Sequence, residues 1–491
     1  MLGPAKCRMH DHLVTVSLDA LVPGDHFYRH LDAHLDLSFV RDWVHDAYPG
    51  LGRPSVDPVV LFKRSLVMVL EGIRSERQLL MLAADRLSVR WYLGYGLDEP
   101  LPDASTLTRL RQRLGLPLFR RFFEHVVDLC VGAGLVGGRE LLADATRVPA
   151  NAAMDSLVPR LRLVVDDGLV ALFAGDEAPA ADAAEDGDRA ARWDVLEECR
   201  FAPHRPATGT DERISSRKIS RTDPDATPMS MRDGRTVLGY QDHDLVDGGK
   251  ARMILHAFVT PGDVSASQVL IDQLRRTLFR RKLRPQRLIA DAKYGTAGNV
   301  RAIEELGIRA YVPLHEGGPS SPVSRHTAFT DDAEQDVYYC PQGTVLKLRH
   351  RDDANERWLY RANASVCNAC PAKPACTSSR QGRLVGRSFH AEDLERVRSY
   401  DDTSAFKKAM RKRSVWVEPL FAEAKDWHGR RRFRLRGLVN VNVEALLVAT
   451  GQNLKRWIGA TGWGRRWGPA GCLSAPNGQR CPVSAMHGTT C

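Results

Sequence analysis

Leu142-Ala143-Asp144-Ala145-Thr146 is a short apolar run with one carboxylate set into it. Such a run reads as a buried strand, where a desolvated charge is costly unless a cation pairs with it. The pattern returns at Arg287-Leu288-Ile289-Ala290-Asp291, an apolar run that ends on a carboxylate. Two acidic residues displayed from strands raise the question of which cation they share.

The segments around these runs predict the sheet. Residues 236–246 and 250–259 alternate or run apolar, and Asp247-Gly248-Gly249 between them is a strong hairpin signal. Residues 265–280 carry a helical pattern, and 287–290 a buried-type strand. Thr296 can cap a helix through Leu306 that stops at Gly307, and 308–312 reads as a strand again. A hairpin followed by a βαβ unit gives an α/β class with a mixed sheet over 138–314. Within it, 150–235 reads as insertion or loop, because Ala178–Ala191 is Ala/Asp-rich and Pro203–Pro228 is rich in Pro, Thr and Ser.

Upstream, residues 1–125 read as an all-helical domain. Asp57-Pro58 is a cap followed by proline in the first turn, Ser75 precedes a second helix, and Ser105 and Gly115 bracket a third. On that third helix Arg109 and Arg113 lie i,i+4 on one face, candidates for phosphate contacts, although a bundle's surface helix reads the same way. Downstream, 315–400 breaks the pattern and carries four cysteines, 401–458 is helical again, and 459–491 lacks periodicity and is expected to be disordered.

The 491 residues suffice for two to four domains, at ordinary hydrophobic (43%) and charged (26%) content. No stretch approaches the roughly 18 apolar residues of a membrane helix. The first ten residues have no apolar signal core, so a cytosolic protein is expected. Net charge is +10. The cations crowd between Lys407 and Arg436, including Arg413, Lys425, Arg432 and Arg436, interleaved with Trp416, Phe421, Trp427 and Phe433. That composition suits a polyanion, nucleic acid first.

Paired carboxylates on separate strands fit a two-metal site that handles a phosphodiester. The third ligand is sought in Val415-Trp416-Val417-Glu418-Pro419-Leu420-Phe421-Ala422-Glu423-Ala424-Lys425. Glu418 and Lys425 lie about 20° from eclipsed on a helix, whereas Glu423 is about 160° from Lys425. Glu418 can therefore ligate metal while Lys425 reaches phosphate; Pro419 forces a helix start or a kink here. Cys340, Cys367, Cys370 and Cys376 supply four thiolates, enough for a closed zinc site, with an iron–sulfur cluster as the lesser option. Asp242-His243-Asp244 resembles a metal triad but reads as the polar face of a hairpin strand, and Cys472, Cys481 and Cys491 are assigned nothing.

These motifs together resemble the DDE transposases of bacterial insertion sequences. The residues are Ala143-Asp144-Ala145-Thr146 with Ala150-Asn151-Ala152, Ala290-Asp291-Ala292-Lys293-Tyr294-Gly295, and Val417-Glu418-Pro419-Leu420-Phe421 with Lys425. Arg432-Phe433 with Arg436-Gly437, Asn453-Leu454, and Asp103 through Arg109 add to the likeness, which spans roughly residues 20–457. The family often carries an arginine where Ser414 stands; Arg413 is one residue away. The resemblance implies an RNase H-like mixed sheet flanked by helices, with an N-terminal helical DNA-binding domain and a small cysteine-rich insertion. It implies terminal-repeat recognition, end cleavage and strand transfer to target DNA. Asp144, Asp291 and Glu418 would hold two Mg²⁺ (or Mn²⁺) ions, with Lys425 and Tyr294 at the DNA, in a cytoplasmic, nucleoid-associated homodimer on DNA without membrane contact. The other readings are a nuclease without strand transfer and an inactive DNA-binding remnant acting as a repressor.

Overall fold

The computed structural model describes residues 15–45, 48, 55–159, 218–314, 328–332, 334–353 and 356–463. Most of the insertion between the first strand and the hairpin, and the tail with its three cysteines, lie outside the described residues. The chain opens with helices α1 (Leu18–Leu21), α2 (Phe27–His34), α3 (Phe39–Val44), α4 (Pro58–Leu70), α5 (Glu76–Asp85), α6 (Leu87–Leu93) and α7 (Ala104–Gly132).

Local chemistry sets these boundaries. Asp57 caps α4 by accepting from the Val59 N–H at 2.9 Å, with Pro58 in the first turn. Ser75 caps α5 through the Gln78 N–H. The cap of α7 is Asp103, which accepts from the Ser105 N–H at 2.7 Å, rather than the expected Ser105. Gly115 breaks the helix as its sequence suggests, with φ 65° and ψ 174°, but Pro117 then starts a second run that continues the same element.

Strand β1 (Glu140–Pro149) begins the mixed sheet. It is followed by β2 (Leu157–Pro159), β3 (Lys218–Ser220), β4 (Thr227–Ser230), β5 (Thr236–Asp247), β6 (Ile254–Pro261), α8 (Ala266–Arg281), β7 (Arg287–Ile289), α9 (Ala297–Glu305) and β8 (Arg309–Tyr311). Among the described residues the sheet runs β4-β5-β1-β7-β8, with β6 also on β5. β5 and β6 form the expected antiparallel hairpin, and β7 and β8 add in parallel. This is a mixed sheet with β1 at its centre, as the α/β reading expects.

A second sheet, β13-β12-β11-β10-β9, stands apart from the first. Its strands are β9 (Thr330–Asp332), β10 (Val337–Tyr339), β11 (Val345–Asp352), β12 (Arg357–Ala362) and β13 (Leu384–Ser388), with short helices α10 (Ala364–Asn368) and α11 (Lys373–Cys376) before the last strand. It has its own small core of Phe329, Tyr338, Leu346, Tyr360, Ala362, Cys367 and Val385. The chain then returns through α12 (Ala391–Asp401), α13 (Ser404–Asp426) and α14 (Leu438–Ala460). Pro419 neither starts nor ends α13, which runs through it.

α14 covers the outer edge of β6. Asn453 accepts from the Ile254 N–H at 3.0 Å and donates to its carbonyl at 2.8 Å. Asn442 does the same at Val259, at 2.8 and 3.0 Å. The two asparagines are eleven residues apart, so they share a helical face and span about 16 Å, the length of the five residues between their targets. Edge groups that would otherwise be unpaired are thereby satisfied by side chains. One continuous apolar core joins Phe62, Phe119 and Phe122 of the N-terminal helices to Leu142 of β1 and Val448 of α14. Asn453→Leu leaves the Ile254 N–H and carbonyl buried without partners. It should lower unfolding stability by about 2–4 kcal/mol in urea denaturation.

Candidate active site

Asp144 sits at the middle of β1. Its Oδ1 accepts from the Ala145 N–H at 2.8 Å, and its Oδ2 receives Arg413 of α13 at 2.8 Å. Burial raises its pKa; Arg413 opposes that rise, and the nearby charge of Asp291 adds to it. Asp291 lies just beyond β7, where it caps the turn Ala292–Tyr294 through the Lys293 N–H at 3.0 Å. Tyr294, 2 % exposed, is held well above the usual phenol range by burial, then by the charges of Asp144 and Asp291. Gly295 follows because a β-carbon there would run into the Pro313 carbonyl. The two strand carboxylates are thus brought into one electrostatic neighbourhood by β1 and β7, which pair directly.

α13 runs alongside β1. Near its N-terminal half Lys412 pairs with Glu140, which Arg287 also reaches at 2.7 Å. Near its C-terminal end Lys425 donates to Thr146 Oγ1 at 2.7 Å, and burial lowers the lysine's pKa. The thirteen residues from Lys412 to Lys425 rise about 20 Å, matching the about 20 Å from Glu140 to Thr146. Glu418 lies on α13 between these two anchors, with its side chain exposed. The other glutamate is otherwise engaged. Burial opposes ionisation at Glu423, but His428, Arg456 and Lys455 outweigh it and hold the carboxyl well below its usual range.

Opposite Asp144 on the antiparallel partner is Asp244. It is 2 % exposed, its Oδ1 has no hydrogen-bond partner, and burial together with the Asp144 charge pushes its pKa up to about 8. Two residues along the same face, Asp242 is fully buried in an ion pair with Arg430. His243 points to the other face, where it meets Thr260 at 2.8 Å and burial depresses it to about 3. Reading the triad as a polar hairpin face missed this. Its members are buried, and the two aspartates share Asp144's side of the sheet. Only the register, which no residue spacing encodes, reveals that.

The remaining basic residues are distributed unevenly. Arg109 is exposed and donates to Ser105, Arg113 lies over the Tyr48 ring, and Arg111 between them is half-buried against Glu76. Arg434 joins that pair at 3.1 Å, and Arg436 donates to the Asn151 carbonyl at 3.0 Å. Arg432 is exposed. The loop after β1 is stitched to this segment by Phe433 N–H on Pro149 and Asn151 on the Arg434 carbonyl.

Cys340, Cys367, Cys370 and Cys376 line one cavity in the second sheet, all as free thiols. The Thr344 N–H points at Cys340 Sγ and the Arg383 N–H at Cys367 Sγ, each at 3.3 Å. Burial raises the Cys376 thiol; Arg383 opposes this, and the other three cysteines add to it. Among the described residues no three His, Cys, Asp or Glu side chains are already drawn to the spacing of a closed metal cage. At the carboxylates the reason is visible: Arg413 holds Asp144, and Glu418 faces outward.

Comparison with known families gives two matches. Residues 16–113 match a family described as a transposase domain (DUF772), and residues 339–458 match a transposase DDE domain. The second match takes in the cysteines, Glu418 and Lys425. No curated protein matches the chain.

The two glutamates of α13 separate cleanly by experiment. Glu423→Gln should cost about 2 kcal/mol of stability at pH 7, because it strips a carboxylate chiefly from largely buried Arg456, with exposed Lys455 adding little. Glu418→Gln should change stability by less than about 0.5 kcal/mol. Glu423's pKa is depressed by folding, so its contribution exists above the unfolded carboxyl range and fades as pH falls below about 4. The gap between parent and Glu423→Gln in thermal melts should shrink accordingly.

Proposed function

We infer that this chain, which belongs to the DDE transposases of insertion sequences, cleaves DNA at the terminal inverted repeats of its element and joins the freed ends to target DNA. The observation that carries the reading is the meeting of Asp144 and Asp291 from neighbouring strands with Arg413 and Lys425 from one helix. Carboxylates on rigid strands beside phosphate-seeking cations are what phosphodiester chemistry requires.

The residues fit divalent cations. The Asp291 charge raises the cost of ionising Asp144 where burial already opposes it, and Arg413, the Ala145 N–H and Lys293 offset that cost. Asp144, Asp291 and Glu418 would hold two Mg²⁺ or Mn²⁺ ions, which when bound activate the attacking oxygen and stabilise the leaving one. Glu418, exposed on the same helix, would turn inward to complete the set. Arg413, released from Asp144, transfers to a DNA phosphate, the stronger and bidentate partner. Lys425 lies along the same strand and orients the backbone next to the scissile bond.

In the first step a water oxygen bonds to phosphorus at the element end, the bond to the 3′ oxygen breaks, and a 3′-hydroxyl is left. In the second that hydroxyl's oxygen bonds to a target phosphorus, the target's own 3′ oxygen leaves, and its proton balance is closed by solvent. Arg109, Arg113, Arg432 and Arg436 are proposed DNA contacts. Two ends must be held together, so the working species is a homodimer on DNA.

The four cysteines are proposed to hold a structural Zn²⁺. The second sheet's core is small, and thiolates preset by backbone N–H groups fit a tetrahedral ion. Purified chain should carry about one equivalent of zinc by elemental analysis. Cys370→Ser should release it and open the 328–388 segment to protease; a zinc content near zero in the parent rules the site out.

The catalytic reading is tested with matched end DNA, target DNA and Mg²⁺. Asp144→Asn, Asp291→Ala and Glu418→Gln should each lower strand transfer by about 10³-fold or more while end binding persists. Cleavage without joining by the parent would instead identify a nuclease, and binding without cleavage an inactive repressor.

A further inference from the structure

We propose that Asp244 is a fourth carboxylate ligand of the catalytic divalent cations, alongside Asp144 and Asp291. The proposal rests on the metal-dependent reading above and extends it to a residue outside the three-carboxylate signature.

The argument starts from register. β1 and β5 pair antiparallel with Asp144 directly opposite Asp244. Directly opposed residues project to the same face with β-carbons about 4.5–5.5 Å apart, and like charges so placed repel. That separation lets carboxyl oxygens of both residues reach a common ion. Asp244 is 2 % exposed, so water cannot relieve the repulsion, and its Oδ1 is without a hydrogen-bond partner. A buried carboxyl in such a position takes either a proton or a cation.

The neighbouring positions show how this fold supplies side-chain cations to its strand carboxylates. Asp242, on the same face of β5, has Arg430 as a dedicated buried partner. Asp144 has Arg413. Glu140, at the start of β1, has Lys412 and Arg287. Among the described residues Asp244 alone of these four has no ion pair. Buried Tyr294 feels the charge of all three aspartates, Asp144, Asp291 and Asp244. The three carboxyls are not drawn to the spacing of a closed cage, with Arg413 on Asp144, but three carboxyls beside one guanidinium have the composition of an oxygen-ligated divalent-ion site.

The test is Mn²⁺ titration of the full chain by calorimetry without DNA, comparing the parent with Asp244→Asn and Asp144→Asn, all three first checked for folding by circular dichroism. Parent binding should weaken at least tenfold in both variants. An Asp244→Asn affinity within twofold of the parent, with Asp144→Asn impaired, overturns the inference: Asp244 is then a protonated structural carboxyl, and the metal-dependent reading stands. A parent that binds no Mn²⁺ overturns both. Should Asp244→Asn fail to fold, anomalous scattering from Mn²⁺-soaked parent crystals decides. A peak within coordination distance of an Asp244 oxygen supports the ligand role, and a peak on Asp144 without Asp244 overturns it.

Discussion

A carboxylate in the central strand of a sheet needs a cation, and the placement of α13 follows from that need. Arg413 reaches Asp144 across 269 residues of sequence. Lys412 on Glu140 and Lys425 on Thr146 flank it, so the helix is pinned to β1 along its length. The apolar stripe Val417, Leu420, Phe421 and Ala424 supplies the burial that drives the helix onto the sheet. The ion pairs add little stability at partial exposure, but they set which residues face which. Without those anchors Glu418 would have no defined place beside β1.

The opposite side of the core is fixed by a different device. α14 lays two asparagines along the edge of β6, and its near neighbour α7 belongs to the N-terminal helices. The half-buried cluster of Glu76, Arg111 and Arg434 ties α5 and α7 to the loop after α13. Burial works against the charge at Glu76, yet the two arginines keep its carboxyl low. The segment matched to the transposase domain and the segment matched to the DDE domain thus meet at shared charges and in one core.

The basic block between Lys407 and Arg436 combines two populations that sequence cannot separate. Arg430 is fully buried on Asp242, and partly buried Arg434 and Arg413 pair with Glu76 and Asp144, so these serve the fold's own anions. Arg432, Lys408 and Arg411 remain on the surface. A run of arginines looks uniform because each guanidinium has the same charge; what distinguishes them is where the partner carboxylate lies, and that is set by distant strands.

From sequence alone came the apolar runs and their odd carboxylates, the glycine-marked hairpin, the caps at Asp57, Ser75 and Thr296, and the choice of Glu418 over Glu423 on helical phase. All of these rest on local periodicity or on a side chain bonding a backbone two or three residues away, which the linear order carries. The tertiary structure decided the rest: Asp103 instead of Ser105 as the cap of α7, passage of α13 through Pro419, the pairing of Arg413 with Asp144, and the burial of Asp242 and Asp244. These depend on strand register and on packing between segments hundreds of residues apart. A one-residue slip would turn Asp244 to the opposite face of the sheet, and nothing in its neighbours along the chain forbids that slip.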